Sequence, residues 1–474
     1  MSVSSFIPQE ILGALESGPF SLHIKGSAGT GKTTAALELV RLFLEDSQAV
    51  YVSTHVSPDK LHKKFPWSKS CIHQGNILDA GTSLFDQTRE KILLRQVDKS
   101  SLLKILYSKV SNKTEHHFTV IIDSLEALKA NLSIPKNDLS LERMIIEIGE
   151  RANTNVIFTS ESSGESELDY LVDQVVRLEK EIVNNRLVRK LYVEKVQGRR
   201  IENPVYLFTL KDGRFTCFES GIPRNVTSPQ LSKAEQDKEG KVSTSIPELD
   251  SILNGGFDKG SFNLFEVENK VGIAHFHLMG PMFLNFILQG YPVLSIPSRG
   301  ISYSDIPKKI LSSIYKDDIL KSLNRYFYVF KPLRTNIKTR NAHYNECYIR
   351  GINFNEDLNS FRELAVKILD GVQADSLFVE MATDTMKFIY GSKDFPKIIQ
   401  AWIDVVKQLK GVLILFQFEH ESNELPNHLA TSYFKIESNA GNIVFYGEIP
   451  KTKMYVATVD LTGRIPQTRL VPIE

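Results

Sequence analysis

Residues 26–33 read Gly26-Ser27-Ala28-Gly29-Thr30-Gly31-Lys32-Thr33, a match to GxxxxGK[ST] at every specified position, and Thr34 follows directly. Glycines at this spacing let the backbone curl until successive N–H groups point at one phosphate, and a helix starting at the lysine adds its positive end at the same place. Lys32 is then expected to reach the β- and γ-phosphates and the Thr33 hydroxyl to ligate Mg²⁺, which makes residues 26–34 the candidate binding run for ATP. The metal needs a second anionic oxygen on a rigid support, usually an acid where a buried parallel strand ends. Residues 118–124, FTVIIDS, are an apolar run closed by an acid, so Thr33 and Asp123 are the candidate metal residues.

Such a loop works only between a strand and a helix, and SLHIK precedes it while AALELVRLFLE follows. Short apolar runs at 21–25, 49–53, 118–122, 155–159 and 174–178 alternate with stretches of helical character, the pattern of a parallel sheet with crossover helices. Closely spaced strand candidates at 187–194, 205–210 and 214–218 then predict an antiparallel edge. Residues 221–240 carry almost no large apolar side chain and read as a linker. Beyond them the plan repeats, with strand candidates at 262–267, 293–296, 326–330, 377–380 and 412–416. The expected class is α/β, with domains at 1–220 and 241–474.

The second half does not repeat the chemistry. Where the phosphate loop would stand it has Val267-Glu268-Asn269-Lys270-Val271-Gly272-Ile273-Ala274, without the lysine and hydroxyl at the motif positions. Glu268 would oppose a phosphate, so no triphosphate binding is expected there.

With 474 residues, 57 Lys+Arg against 56 Asp+Glu and a hydrophobic share of 42%, the chain has a folded protein's composition and room for two domains. A formal charge of +1 gives no general attraction to nucleic acid, and the basic-aromatic run Lys63-Lys64-Phe65-Pro66-Trp67 is too short to carry that claim. Nucleic acid is therefore the less favoured partner. The 3 cysteines form no CxxC pair, and there is no signal-like start and no apolar run of about 18 residues. A cytoplasmic location without membrane association is expected.

The segments GSAGTGKTT, YVSTHVSPDKL, VIIDSLEAL, VIFTSE, YLVDQVVRLE and RLVRKLYVEKVQGRR resemble, in order and spacing, the RecA/KaiC group of P-loop ATPases. VSTSIPELDSILNGGFDKGS resembles the segment that opens KaiC-type domains, and it stands before the second half. Over roughly the first 70 residues the chain is also similar to the archaeal gas-vesicle regulatory GvpD P-loop family. The resemblance implies two tandem RecA-like domains, each a largely parallel sheet with an antiparallel C-terminal edge, the second a degenerate copy.

The departures from that group bear on mechanism. Relatives carry water-polarising glutamates after the second strand, where this chain has His55 and Val56. His55 is a weaker candidate for that task, and Glu161, after VIFTS, is a substitute acid. KaiC-type rings send a lysine and an arginine into a neighbour's γ-phosphate; the aligned residues are Lys195 and Gln197, with Arg199 and Arg200 just beyond. The resemblance thus implies an ATP-binding regulator that changes conformation or assembles with nucleotide and hydrolyses it slowly or not at all. Its partner would be further copies of itself or a regulatory protein. The alternatives are a DNA-dependent ATPase of the recombinase type and a KaiC-type autokinase.

Overall fold

A computed structural model describes residues 6–16, 18–43, 49–54, 57–79, 98–111, 118–221, 237–299, 317–333, 344–418, 429–460 and 467–474. It divides into two units, Met1–Ser220 with Ile473–Glu474 and Gly221–Pro472. Most of the 221–240 linker lies outside the described residues.

In the first unit, strands β1 (Ser21–Lys25), β2 (Ala49–Ser53), β3 (Ile77–Asp79), β4 (Phe118–Asp123), β5 (Thr154–Ser160), β6 (Gln174–Val183), β7 (Arg186–Val196), β8 (Val205–Thr209) and β9 (Thr216–Cys217) form one sheet. Their order is β3-β2-β4-β5-β1-β6-β7-β8-β9. Pairing is parallel from β3 to β6 and antiparallel from there to β9. Successive side chains of a strand point to opposite faces, and both faces here are apolar. Leu22, Ile24, Tyr51, Ile121 and Ile157 pack into one cluster, and Val50, Val52, Val120, Ile122 and Phe158 into the other. Burial on both sides explains why these strands read as continuous Val/Ile/Phe runs.

The second unit has the two-stranded pair β10 (Lys241–Val242) and β11 (Phe257–Asp258), then β12 (Phe262–Val267), β13 (Val293–Ile296), β14 (Phe327–Pro332), β15 (Asn345–Ile349), β16 (Phe378–Ala382), β17 (Val412–Phe418), β18 (Ser432–Asn439), β19 (Asn442–Ile449), β20 (Tyr455–Asp460) and β21 (Gln467–Pro472), β12 to β21 forming one sheet. Their order is β15-β14-β13-β16-β17-β12-β18-β19-β20-β21. With β12 set on β1, β16 on β4 and β18 on β6, this is the first unit's order with β15 added at the edge. Both units are RecA-like, each a mostly parallel sheet with crossover helices and an antiparallel end.

The strands after which a phosphate loop would stand differ sharply. β12 runs through Glu268 into a short turn, and helix Phe276–Leu288 follows. The Glu268 carboxylate accepts from the Ser438 N–H at 2.7 Å, so an acid fixed to the backbone occupies the start of that turn. His275 is buried, bonded from Nδ1 to the Gly272 carbonyl at 2.6 Å and packed on the Phe276 and Phe416 rings, as a core histidine would be.

Candidate functional site

Helix α1 (Gln9–Glu16) precedes β1, which delivers the chain to the loop at Gly26, and helix α2 (Lys32–Phe43) leaves it. Gly26 has φ 153°, and a Cβ there would lie 2.4 Å from the Leu178 carbonyl oxygen, so only glycine fits. Gly31 has φ 104° and a methyl there would meet the Leu210 side chain at 2.9 Å. Inside this curl the Lys32 ammonium donates to the carbonyls of Gly26 at 2.7 Å and Ser27 at 3.0 Å. Burial lowers the Lys32 pKa, against the opposing negative charges of Glu161, Asp123 and Glu126.

The Thr33 hydroxyl donates to Asp123 Oδ2 at 2.7 Å. The same carboxylate accepts from Tyr51 through Oδ2 and from Thr159 through Oδ1, the latter at 2.5 Å. β4 lies between β2 and β5, so both neighbouring strands contribute a hydroxyl. Tyr51 pays for this position in acidity: burial and the Asp123 charge hold its phenol well above the usual range. The backbone is locked as well, since Thr54 donates to the Asp123 carbonyl from N at 3.0 Å and from Oγ1 at 2.9 Å.

The donor set fits Mg²⁺ with ATP. A threonine hydroxyl and a carboxylate converge at the mouth of a glycine curl whose lysine is in place, all hard oxygen ligands of the kind Mg²⁺ selects. When bound, the ion would be held by Thr33 and Asp123 and would draw charge from the phosphate oxygens.

Two cations that the sequence reading did not select also touch the loop. A tight turn at Asn184-Asn185, both at positive φ, fixes the β6–β7 hairpin so that Lys180 lies opposite Arg189. Lys180 Nζ donates to the Ala28 carbonyl at 3.0 Å, and Arg189 Nη1 to those of Gly29 at 3.2 Å and Thr30 at 3.4 Å. Burial lowers the pKa of Arg189. The signal was present in the paired asparagines, which set the register, but nothing in the sequence tells which hairpin residues lean over the loop.

Behind the site runs a polar chain. His23, fully buried on β1, bonds from Nε2 to Ser160 Oγ at 2.6 Å and from Nδ1 to Asp169 Oδ1 at 2.7 Å. Lys25 Nζ meets Asp169 Oδ2 at 2.8 Å and Glu194 at 2.7 Å. Burial alone would raise the Asp169 carboxyl, but bonds from His23, Lys25 and the Ser166 N–H outweigh it and bring it down to about 2. Lys195 ends the chain, donating to the backbone carbonyls of Asp169 at 2.9 Å and Val172 at 2.5 Å.

The remaining sequence candidates are dispersed. Glu161 is exposed just past β5, its N–H donating to Glu126 Oε1 at 3.0 Å. His55 lies outside the described residues. Trp67 lies 4.7 Å from the Arg214 guanidinium, and Arg214 in turn grips Glu38 of α2 at 2.7 Å, so the aromatic-basic run braces the loop's helix.

A model of the P-loop domain of the GvpD gas vesicle protein matches residues 15–194, which contain every element of this site up to β7. The first unit is thus similar to a GvpD P-loop domain. Protein GvpD1 of Halobacterium salinarum is 26% identical over 314 residues, covering 62% of this chain and 57% of its own length. Protein GvpD2 of the same organism is 22% identical over 474 residues, 95% of this chain and 92% of its own. Similarity to GvpD2 thus runs through both units, whereas the match to GvpD1 spans less than two thirds of that relative. No helix among the described residues is long and apolar enough to cross a membrane.

Proposed function

We propose that this chain is an ATP-binding regulator in gas vesicle formation, loading Mg·ATP at residues 26–34 of its GvpD P-loop domain. The observation that carries the reading is the convergence of Lys32, Thr33 and Asp123 at the loop, a set with no counterpart after β12. The second unit then serves as a structural or partner-binding copy in the cytoplasm.

Hydrolysis is slow in this reading, because His55 and Val56 follow β2 in place of a carboxylate. Occupancy rather than turnover carries the signal. Lys195 links occupancy to assembly: it leaves the Asp169 and Val172 carbonyls to meet a γ-phosphate held by a second copy. A ligand shifts an association equilibrium only through contacts made in one state and not the other, and a lysine reaching across an interface provides such a contact.

Light scattering on the intact chain, with and without a non-hydrolysable ATP analogue, tests this. The mass should rise with nucleotide, and Lys195→Ala should weaken that rise while leaving nucleotide binding intact. A chain that keeps one mass at saturating nucleotide contradicts assembly, and strong ATP-linked retention of DNA on filters would favour a recombinase-type ATPase instead.

A further inference from the structure

Hydrolysis of a phosphoanhydride needs an acceptor for the proton of the attacking water, and two of the acids around Lys32 are unsuited to it. Asp123 already accepts from Thr33, Tyr51 and Thr159, which occupy both of its oxygens. The Glu161 charge reaches Lys32, but its side chain is exposed, so its carboxylate is solvated as a surface acid is.

Glu126 differs from both. It lies one turn beyond Asp123, in the helix Leu125–Asn131, and its Oε1 is fixed by the Glu161 N–H at 3.0 Å. Its Oε2 is buried and has no hydrogen-bond partner among the described residues. A buried carboxylate oxygen without a donor is costly and calls for an explanation. The location supplies one. Asp123 ends β4 and Glu161 follows β5, and β5 pairs with β1, from which the phosphate loop springs. Glu126 is thus pinned between the ends of two strands beside the loop, and its charge acts on Lys32 after those of Glu161 and Asp123.

We infer that Glu126 is the catalytic carboxylate for the slow ATP hydrolysis, with the Glu161 backbone N–H as the group that aims it. The inference rests on the ATP-binding reading above. In the step, the water oxygen forms a bond to the γ-phosphorus and the bond from that phosphorus to the β–γ bridging oxygen breaks. The electron pair leaves with ADP, and the water proton passes to Glu126 Oε2 and then to solvent. The donor that Oε2 lacks is the attacking water. Glu161 contributes a main-chain group, so its side chain is dispensable.

The test compares E126Q and E165Q with wild type in the intact chain. Three quantities are read with Mg²⁺ present: ATP affinity, the single-turnover rate with radiolabelled ATP, and affinity for ADP with aluminium fluoride, which mimics the phosphoryl group in transfer. E126Q should keep ATP affinity within about threefold, lose about 100-fold or more in rate, and bind ADP–aluminium fluoride at least about tenfold more weakly. E165Q, at an exposed acid on the same loop, should stay within about threefold of wild type in all three. E126Q hydrolysing like wild type overturns the inference, as does an E126Q that no longer binds ATP, which would mark a structural residue. A wild-type chain that binds ATP and never hydrolyses it also overturns the inference but leaves the ATP-binding reading standing. Absence of ATP binding in wild type removes both.

Discussion

The Thr33 hydroxyl meets Asp123 Oδ2 at 2.7 Å across 90 residues of sequence, joining the first turn of α2 to the end of β4. Three hydroxyls share that carboxylate, so its removal affects more than a metal. Asp123→Ala leaves Thr33, Tyr51 and Thr159 without their acceptor, and a buried group so orphaned costs about 1–3 kcal/mol. Urea unfolding should show a loss of about 2–4 kcal/mol, together with loss of the Mg²⁺ dependence of nucleotide binding. An unchanged unfolding midpoint would show that the three hydroxyls find other partners.

Acid should act on the first unit through Asp169. Its carboxyl is held at about 2 in the folded chain, whereas an unfolded aspartate titrates near about 3.9. A depressed carboxyl stabilises the fold above the unfolded value, and that contribution is lost as pH falls from about 4 towards 2. Between pH 5 and pH 3, D169N should therefore lose less of its urea midpoint than wild type does. Equal losses would mean that the bonds from His23 and Lys25 do not favour the charged form.

The second unit should respond to pH in the opposite sense. Glu380 is fully buried on β16, bonded to Ser295 of the neighbouring β13, and burial pushes its carboxyl up to about 7 against the Ser295 bond. An unfolded glutamate titrates near about 4.3. From there to about 7 the unfolded chain releases the proton first, so stability falls through this window and then levels off. E380Q cannot ionise, and its advantage in thermal midpoint over wild type should be larger at pH 8 than at pH 5. Parallel midpoints across that range would contradict the assignment.

Legibility followed the physics of each feature. The phosphate loop could be read because three glycines and a lysine at fixed spacing serve few other purposes, and Asp123 was singled out because an acid closing an apolar strand behind such a loop is the expected metal-side residue, though the same pattern alone often only caps a helix. The parallel strands were visible because burial on both faces makes them continuous apolar runs. β3, with only three residues, and β15, whose residues are mostly half-buried, sit at sheet edges where little apolar signal is required, and both escaped notice. Side-chain convergence was the harder part. Lys180 and Arg189 meet the loop through a hairpin more than 150 residues away in sequence, and Glu126 owes its position to a backbone N–H, which leaves no mark on residue type. His23 sits within an apolar strand run, where its residue type does not show that it bonds Ser160 and Asp169 on either side.

The central claim is that one ATP is held per chain by the loop at residues 26–33, and titration calorimetry of the intact protein with Mg·ATP measures it directly. The account predicts a single site, weakened about 100-fold or more by Lys32→Ala, because the triphosphate loses the ammonium that now rests on the Gly26 and Ser27 carbonyls. Two sites per chain, or a variant that binds as tightly as wild type, would contradict it.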